Sequence, residues 1–268
     1  GGALTNGAGG TLTNASGGTL TNNGSLDNSG KLTNGGTLAN ESDGRLIFQA
    51  GSTFDNTGGT LTSSGTIESH IDDYFQTLSG GAGGTVQFKS GSNFVNQAKI
   101  NNAEGKTLTN SHTLTNHETI ENKGTLTNDG TLTNRAFLYN LGQMANDGTL
   151  ANGNMVINES GGTLTNASGG TLTNTNDGIL VNRGTLANGG ELNNSHLVTN
   201  NGVLNNSGKL YNQLSGTLTN NGVIANTGTL VNYGALNGGG KIKGNYTDHG
   251  HTKPGNSAGV MTIEGDYC

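Results

Sequence analysis

The chain has 268 residues and a formal net charge of −6, with 49 glycines, one proline, no tryptophan, aromatics at 4% and charged residues at 11%. That composition excludes a core anchored on aromatic side chains, and equally the highly charged tail that stays disordered for want of apolar surface. It leaves no Lys/Arg stripe for nucleic acid or an anionic membrane, and one cysteine, Cys268, cannot form an internal disulfide framework.

From the N-terminus, apolar residues recur at Leu4, Leu12, Leu20, Leu26, Leu32, Leu38, Leu46 and Phe54, always in steps of six or eight. Gly1 to Asn6 already read as part of this repeat, without the shape of a signal peptide. No apolar run reaches the roughly 18 residues of a membrane span, so no membrane insertion is expected. The repeat breaks from Glu68 to Gly84. Past the break it runs by sixes from Leu108 through Leu114, Ile120, Leu126, Leu132, Leu138, Met144 and Leu150 to Val156. Eights lead to Leu164, Leu172 and Leu180, and sixes with one further eight carry on to Ile242.

Both steps are even, and a strand alternates its side chains with period 2, so every one of these residues faces the same side. Asn follows two places after most of them, as in Asn110, Asn116, Asn122 and Asn128, which sets it on the inner side or at a corner. The Thr residues flanking each Leu, such as Thr125 and Thr127, then face solvent. Strands of about four residues cannot bury a face alone and must stack on copies of themselves. The predicted fold class is therefore all-β: a single-stranded parallel β-solenoid, or β-helix, with three short strands per coil of about 18–20 residues. About 11 to 12 coils at ~4.8 Å spacing would extend about 55 Å. Stacked Asn side chains are expected to form amide ladders, and Asn and Gly to supply left-handed corners. A disordered Gly/Asn/Thr tract would not hold phase across two-residue insertions. An antiparallel sandwich needs longer strands than a six-residue step leaves.

The chain divides into N-terminal coils at 1–67, an extruded loop at 68–85, main coils at 86–243 and a C-terminal segment at 244–268. The flanks of the break match as Gly-Ser-x-Phe-x-Asn, at Phe54 and at Phe94, which predicts that the coil resumes in phase. Loops carried on a solenoid are common places for binding, making His70, Asp72, Asp73, Tyr74 and Phe75 the candidate binding residues. The plainer reading is that Ile71, Tyr74, Phe75 and Leu78 pack the loop against the coils.

Other chemistry is weaker. Asp248, His249 and His251 could offer ligands to a transition metal, but two solvent-facing histidines explain the pattern more simply, and neither a metal nor any cofactor is expected. Asp129 and Asp147, with Glu118, Glu121 and Lys123, lie at turn positions and read as a solvated corner; polysaccharide cleavage needs clustered carboxylates, so no enzyme is expected. An ice-binding face is an alternative, with Thr113, Thr115, Thr131, Thr133, Thr149, Thr171 and Thr173 on one sheet, interrupted by Ala151 and then by Glu191, Asn193, Lys209 and Tyr211.

Near the C-terminus, Gly244-Asn-Tyr-Thr and then Lys253-Pro-Gly-Asn-Ser-Ala-Gly-Val-Met-Thr-Ile-Glu-Gly-Asp-Tyr267 resemble the Pro-Gly-x-Ser-x-Gly-x-x-Thr-Ile-x-Gly-x-Tyr segment of autotransporter passenger regions and filamentous haemagglutinin-like adhesins. The Gly-x-Leu-x-Asn repeats are similar to the β-helix repeats of the same proteins. The resemblance implies a right-handed coil, an extracellular place on or outside a Gram-negative cell, and adhesion or surface display. The implied partner is a ligand on a host or neighbouring cell. Unpaired terminal coils add an expectation of end-to-end self-association.

Overall fold

A tetrapeptide such as Thr-Leu-Thr-Asn makes one strand and is too short to return on itself, so its backbone groups must bond to another copy. In the computed structural model they do. The structure describes residues 2–56, 59–70, 85–88, 93–96, 100–102, 104–105, 107–255 and 260–266, and among these all regular structure is strand. Two compact units divide the chain, Gly1–Leu132 and Thr133–Cys268.

In the N-terminal unit, Ala3–Asn6, Thr11–Asn14 and Thr19–Asn22 open three faces, and the following strands join those faces in rotation. Ala3–Asn6 pairs in parallel with Ser25–Asn28, Thr11–Asn14 with Lys31–Asn34, and Thr19–Asn22 with Thr37–Asn40, setting Leu over Leu and Asn over Asn. The C-terminal unit repeats the scheme. Its first face contains Thr149–Asn152 and Thr171–Asn174, its second Phe137–Asn140 and Met155–Asn158, and its third Gln143–Asn146 and Thr163–Asn166.

The inward Leu column is the core of each unit. Leu26, Leu32 and Leu38 in one, and Leu164, Leu172, Leu180 and Leu186 in the other, are at most 1% exposed, each worth roughly 1.5–3 kcal/mol of burial. The Asn residues are buried with them and are paired. Asn166 Nδ2 donates to Asn188 Oδ1 at 2.8 Å, Asn188 to Asn206 at 2.7 Å, and Asn206 to Asn226 at 2.7 Å. Each of these amides also donates to the backbone carbonyl that opens the strand beyond the next corner: Glu191 at 3.0 Å, Lys209 at 2.8 Å and Thr229 at 2.8 Å. The ladders have one direction, with the earlier coil donating to the later.

Most successive ladder residues lie 18, 20, 22 or 24 positions apart, as in Asn110 to Asn128, Asn14 to Asn34, Asn34 to Asn56 and Asn158 to Asn182, with 23 from Asn40 to Ser63 and 16 from Asn232 to Asp248. Some coils thus run longer than the expected 18–20 residues, because most corners take either two residues or four. Several four-residue corners use a left-handed glycine, including Gly9 and Gly161 at φ 77° and 87°. Where a two-residue corner carries glycine, the reason is different. A Cβ on Gly208 would sit 2.1 Å from the carbonyl oxygen of Gly190 in the preceding coil, so the glycine there permits close stacking and does not supply an unusual φ.

Candidate functional site

With inner positions occupied by packing, any recognition falls to outward side chains, corners and breaks in the repeat. The main break lies on the second face of the N-terminal unit. Thr66–Ser69 pairs with Arg45–Phe48 on one side and Asn93–Asn96 on the other, and Thr60–Ser63 pairs with Thr85–Phe88. The second face instead passes from Thr53–Asp55 to Ile100–Asn102 with one strand fewer among the described residues. Asn102 is the first amide of the ladder that resumes there. It donates to Asn122 Oδ1 at 2.6 Å and to Thr125 O at 2.8 Å, while its own buried Oδ1 has no donor among the described residues.

The register survives the break, since Val86 pairs with Leu61 and Phe94 with Ile67, although the even spacing does not: Phe54 to Leu61 is a step of 7 and Ile67 to Val86 a step of 19. The matched flanks nevertheless differ in place: Phe54 belongs to the second face and Phe94 to the first. The recurring Gly-Ser-x-Phe-x-Asn is displaced by one face: among the described residues no second-face strand stands between Thr66–Ser69 and Thr85–Phe88. Of the candidate binding residues, His70 is described; it is partly exposed, and its N–H donates to Phe48 O at 2.9 Å. Asp72, Asp73, Tyr74 and Phe75 lie outside the described residues.

The threonines of the alternative ice-binding face are outward and partly or fully exposed: Thr113 and Thr115 in one strand, Thr131 and Thr133 in the strand that spans the division between units, and Thr149, Thr171 and Thr173 beyond it. Thr149 is in register with Thr171, but Ala151 faces Thr173, and Glu191 and Asn193 follow. Paired threonines on both columns occur on the third face of the N-terminal unit, where Thr107 and Thr109 match Thr125 and Thr127. The turn carboxylates Glu118, Asp129 and Asp147 are exposed, and Glu121 pairs with Lys123 at 2.7 Å.

Asp248 has a structural task. It occupies a ladder position and accepts from Asn232 Nδ2 at 2.7 Å, Gly250 N at 3.1 Å and Thr252 Oγ1 at 2.8 Å. An ionised carboxylate has no proton to pass on, so this ladder ends there. The other two end on Gly238 and Gly244, whose absent side chains leave room for the Asn220 and Asn226 carbonyls. His249 stacks on Tyr233 at 5.3 Å between ring centroids, and His251 begins the strand that ends at Pro254. Among the described residues no three His, Cys, Asp or Glu groups gather as metal ligands. Nearby, a hydrogen bond from Lys241 holds the Glu264 carboxyl below the usual carboxylate range, with the charges of Lys241 and Lys243 acting in the same direction against desolvation.

One surface feature escaped the sequence reading. On the second face of the C-terminal unit, the outward residues of four successive strands are Phe137 and Tyr139, Met155 and Ile157, Ile179 and Val181, and Leu197 and Thr199, in register. The signal lay in Phe-Leu-Tyr-Asn, Met-Val-Ile-Asn, Ile-Leu-Val-Asn and Leu-Val-Thr-Asn, where apolar residues replace the flanking threonines.

The haemagglutinin repeat family model matches residues 1–58, 44–70, 81–140, 127–175, 159–213 and 214–247. Among solved structures, a TibA fragment hyper-glycosylated by TibC is 19% identical, with 97% of this chain and 96% of that one covered at a TM-score of 0.46. No curated protein matches.

Proposed function

This chain belongs to the haemagglutinin repeat family, and from that membership we propose that it is an adhesive, non-enzymatic segment of an extracellular surface or secreted protein. The coils hold a binding element in place, and the binding partner is a ligand on a host or neighbouring cell. The observation carrying this reading is the division of labour in the repeat. Leu and Asn are committed to the interior, coil after coil, and the longest departure from the repeat in the sequence is at 68–85. Loops on rigid scaffolds are free to change without cost to the core. We assign the contact to His70, Asp72, Asp73, Tyr74 and Phe75, with the aromatic rings giving apolar area and the carboxylates setting orientation.

The test is agglutination of erythrocytes by beads carrying the chain at high density. A variant in which residues 70–84 are replaced by repeat hexads should lose agglutination and keep the wild-type thermal midpoint, and Tyr74→Ala with Phe75→Ala should lose most of it. Undiminished agglutination by the hexad variant would remove the loop from the account.

A further inference from the structure

We propose that the second face of the C-terminal unit docks on the same face of a second copy of the chain. The two outward columns run Phe137, Met155, Ile179, Leu197 and Tyr139, Ile157, Val181, Thr199. Seven of these eight side chains are apolar, and all but Ile157, which is 8% exposed, are partly or fully exposed. Other faces of this unit carry polar or charged residues at such positions, for example Glu191 and Lys209 on the first and Lys241 and Lys243 on the third. Phe137 is 39% exposed and its ring stacks parallel to that of Tyr139, 6.1 Å away. Leu141, at the corner that follows, is 40% exposed and extends the apolar edge. Contiguous outward apolar surface on this scale marks an interaction site.

Three properties select a second copy as the occupant. The surface is the flat face of a paired sheet, and its natural complement is another sheet face about 10 Å away. It is uncharged for two strands more, through Thr217, Thr219, Ala235 and Asn237, so self-contact sets no like charges opposite each other even though the chain carries −6. The area also fits: six strands at ~4.8 Å spacing and about 13 Å of length give roughly 400 Å² a side, about 800 Å² for the pair, below the ~1,200 Å² of a stable complex. A contact of that size is weak between two isolated chains and becomes effective between many copies held close together. A two-fold arrangement, each copy offering the same residues, satisfies it. The contact does not depend on the role given to residues 68–85, and a failed agglutination assay leaves it standing.

Sedimentation velocity of the Cys268→Ser chain tests it without interference from disulfide dimers. The expected result is reversible dimerisation with a dissociation constant of about 10 µM to 1 mM. Ile179→Lys with Leu197→Lys should weaken it by at least about tenfold. Thr171→Lys with Thr173→Lys, the same charge change on the first face, should leave it within about twofold, with the circular dichroism of both variants unchanged. A chain that stays monomeric at about 1 mM, or equal weakening by the two double variants, overturns the proposal. If the monomeric chain binds an apolar dye that Ile179→Lys with Leu197→Lys abolishes, the face takes a different partner and self-docking is overturned.

Discussion

Replacing Asn188 tests whether the amide ladder holds the coils together. Asn188 is 1% exposed; its Oδ1 accepts from Asn166 at 2.8 Å, and its Nδ2 donates to Asn206 Oδ1 at 2.7 Å and to Lys209 O at 2.8 Å. In Asn188→Ala, Asn166 keeps its carbonyl partners Gly170 and Glu191, so the loss falls on two acceptors left without this donor, the buried Asn206 Oδ1 and the partly buried Lys209 O. At ~1–3 kcal/mol for each unsatisfied group the change costs about 4 kcal/mol. Asn188→Ser should cost about half as much, because a hydroxyl can accept from one coil and donate within its own. The chain already contains that case: Ser63 accepts from Asn40 at 3.0 Å and donates to Gly65 O at 3.1 Å. Asn188→Asp should be the worst of the three, since it turns a buried charge toward two acceptors. Burial raises the folded pKa of that carboxyl, so its penalty is present above the unfolded value near 3.9 and is relieved as pH falls through the raised one. In a stack the damage is confined to neighbouring coils. Hydrogen exchange of peptides covering 184–212 therefore gives the readout, with peptides of the N-terminal unit as internal reference. For Asn188→Ala protection should fall about a thousandfold at ~1.4 kcal/mol per decade. Protection within about threefold of wild type for Ala, or an Asp variant milder than Ser at neutral pH, refutes the ladder as a source of stability.

Leu132 is fully buried and Thr131 is exposed, so Leu132→Asp should lower the thermal midpoint sharply while Thr131→Asp leaves it nearly unchanged; equal shifts would reverse the inward and outward assignment. Gly208→Ala should destabilise by about 1–3 kcal/mol in chemical denaturation, because its Cβ meets the Gly190 carbonyl, whereas at Gly169 the nearest atom is Asp147 O at 3.7 Å and alanine should be neutral. The lowered Glu264 pKa adds stability to the last third-face strand above the ordinary carboxylate pKa, and that stability is lost as pH falls through the folded value. Faster amide exchange in Thr262–Glu264 on acidification, abolished by Lys241→Met, is the expected result once intrinsic exchange rates are corrected for.

Much of this fold was legible because even spacing is a strong statement about side. Parity alone set Leu108 through Ile242 inward, and the Asn two places on had to share the interior. Which face a strand joins is a different quantity, obtained by counting units in threes, and parity is blind to it. That is why Phe94 read as the continuation of Phe54: the two stand an even 40 residues apart, yet their strands belong to different faces. Glycine was misread at the short corners for a related reason. The clash that requires Gly208 comes from Gly190, a full coil earlier, and no local turn rule contains it. The apolar columns from Phe137 to Leu197 were visible as letters, but they become a surface only once strands about 18 to 24 residues apart are brought side by side.

The direction of the ladders explains where asparagine can be dispensed with. A ladder residue must supply a donor to the next coil only if that coil presents an Oδ1, so substitutions are cheap where no such acceptor follows. Phe48 takes a ladder position and packs on Phe54 at 4.8 Å between ring centroids. The next residue in its column is Ser69, which has no amide oxygen. Beneath it, Asn28 turns its protons to the carbonyls of Gly30 and Thr53, at 3.2 and 3.3 Å. Asp248, Gly238 and Gly244 stand where the three amide ladders stop, although strands continue past Gly238 and Gly244. Two positions depart from this rule: Asn110 follows Phe88 in its column, and Asn102 Oδ1 lacks a donor among the described residues. Ser52 Oγ is the other buried side-chain atom without a partner among the described residues, and Asn102 ends the first described second-face strand past the break in the repeat, Ile100–Asn102.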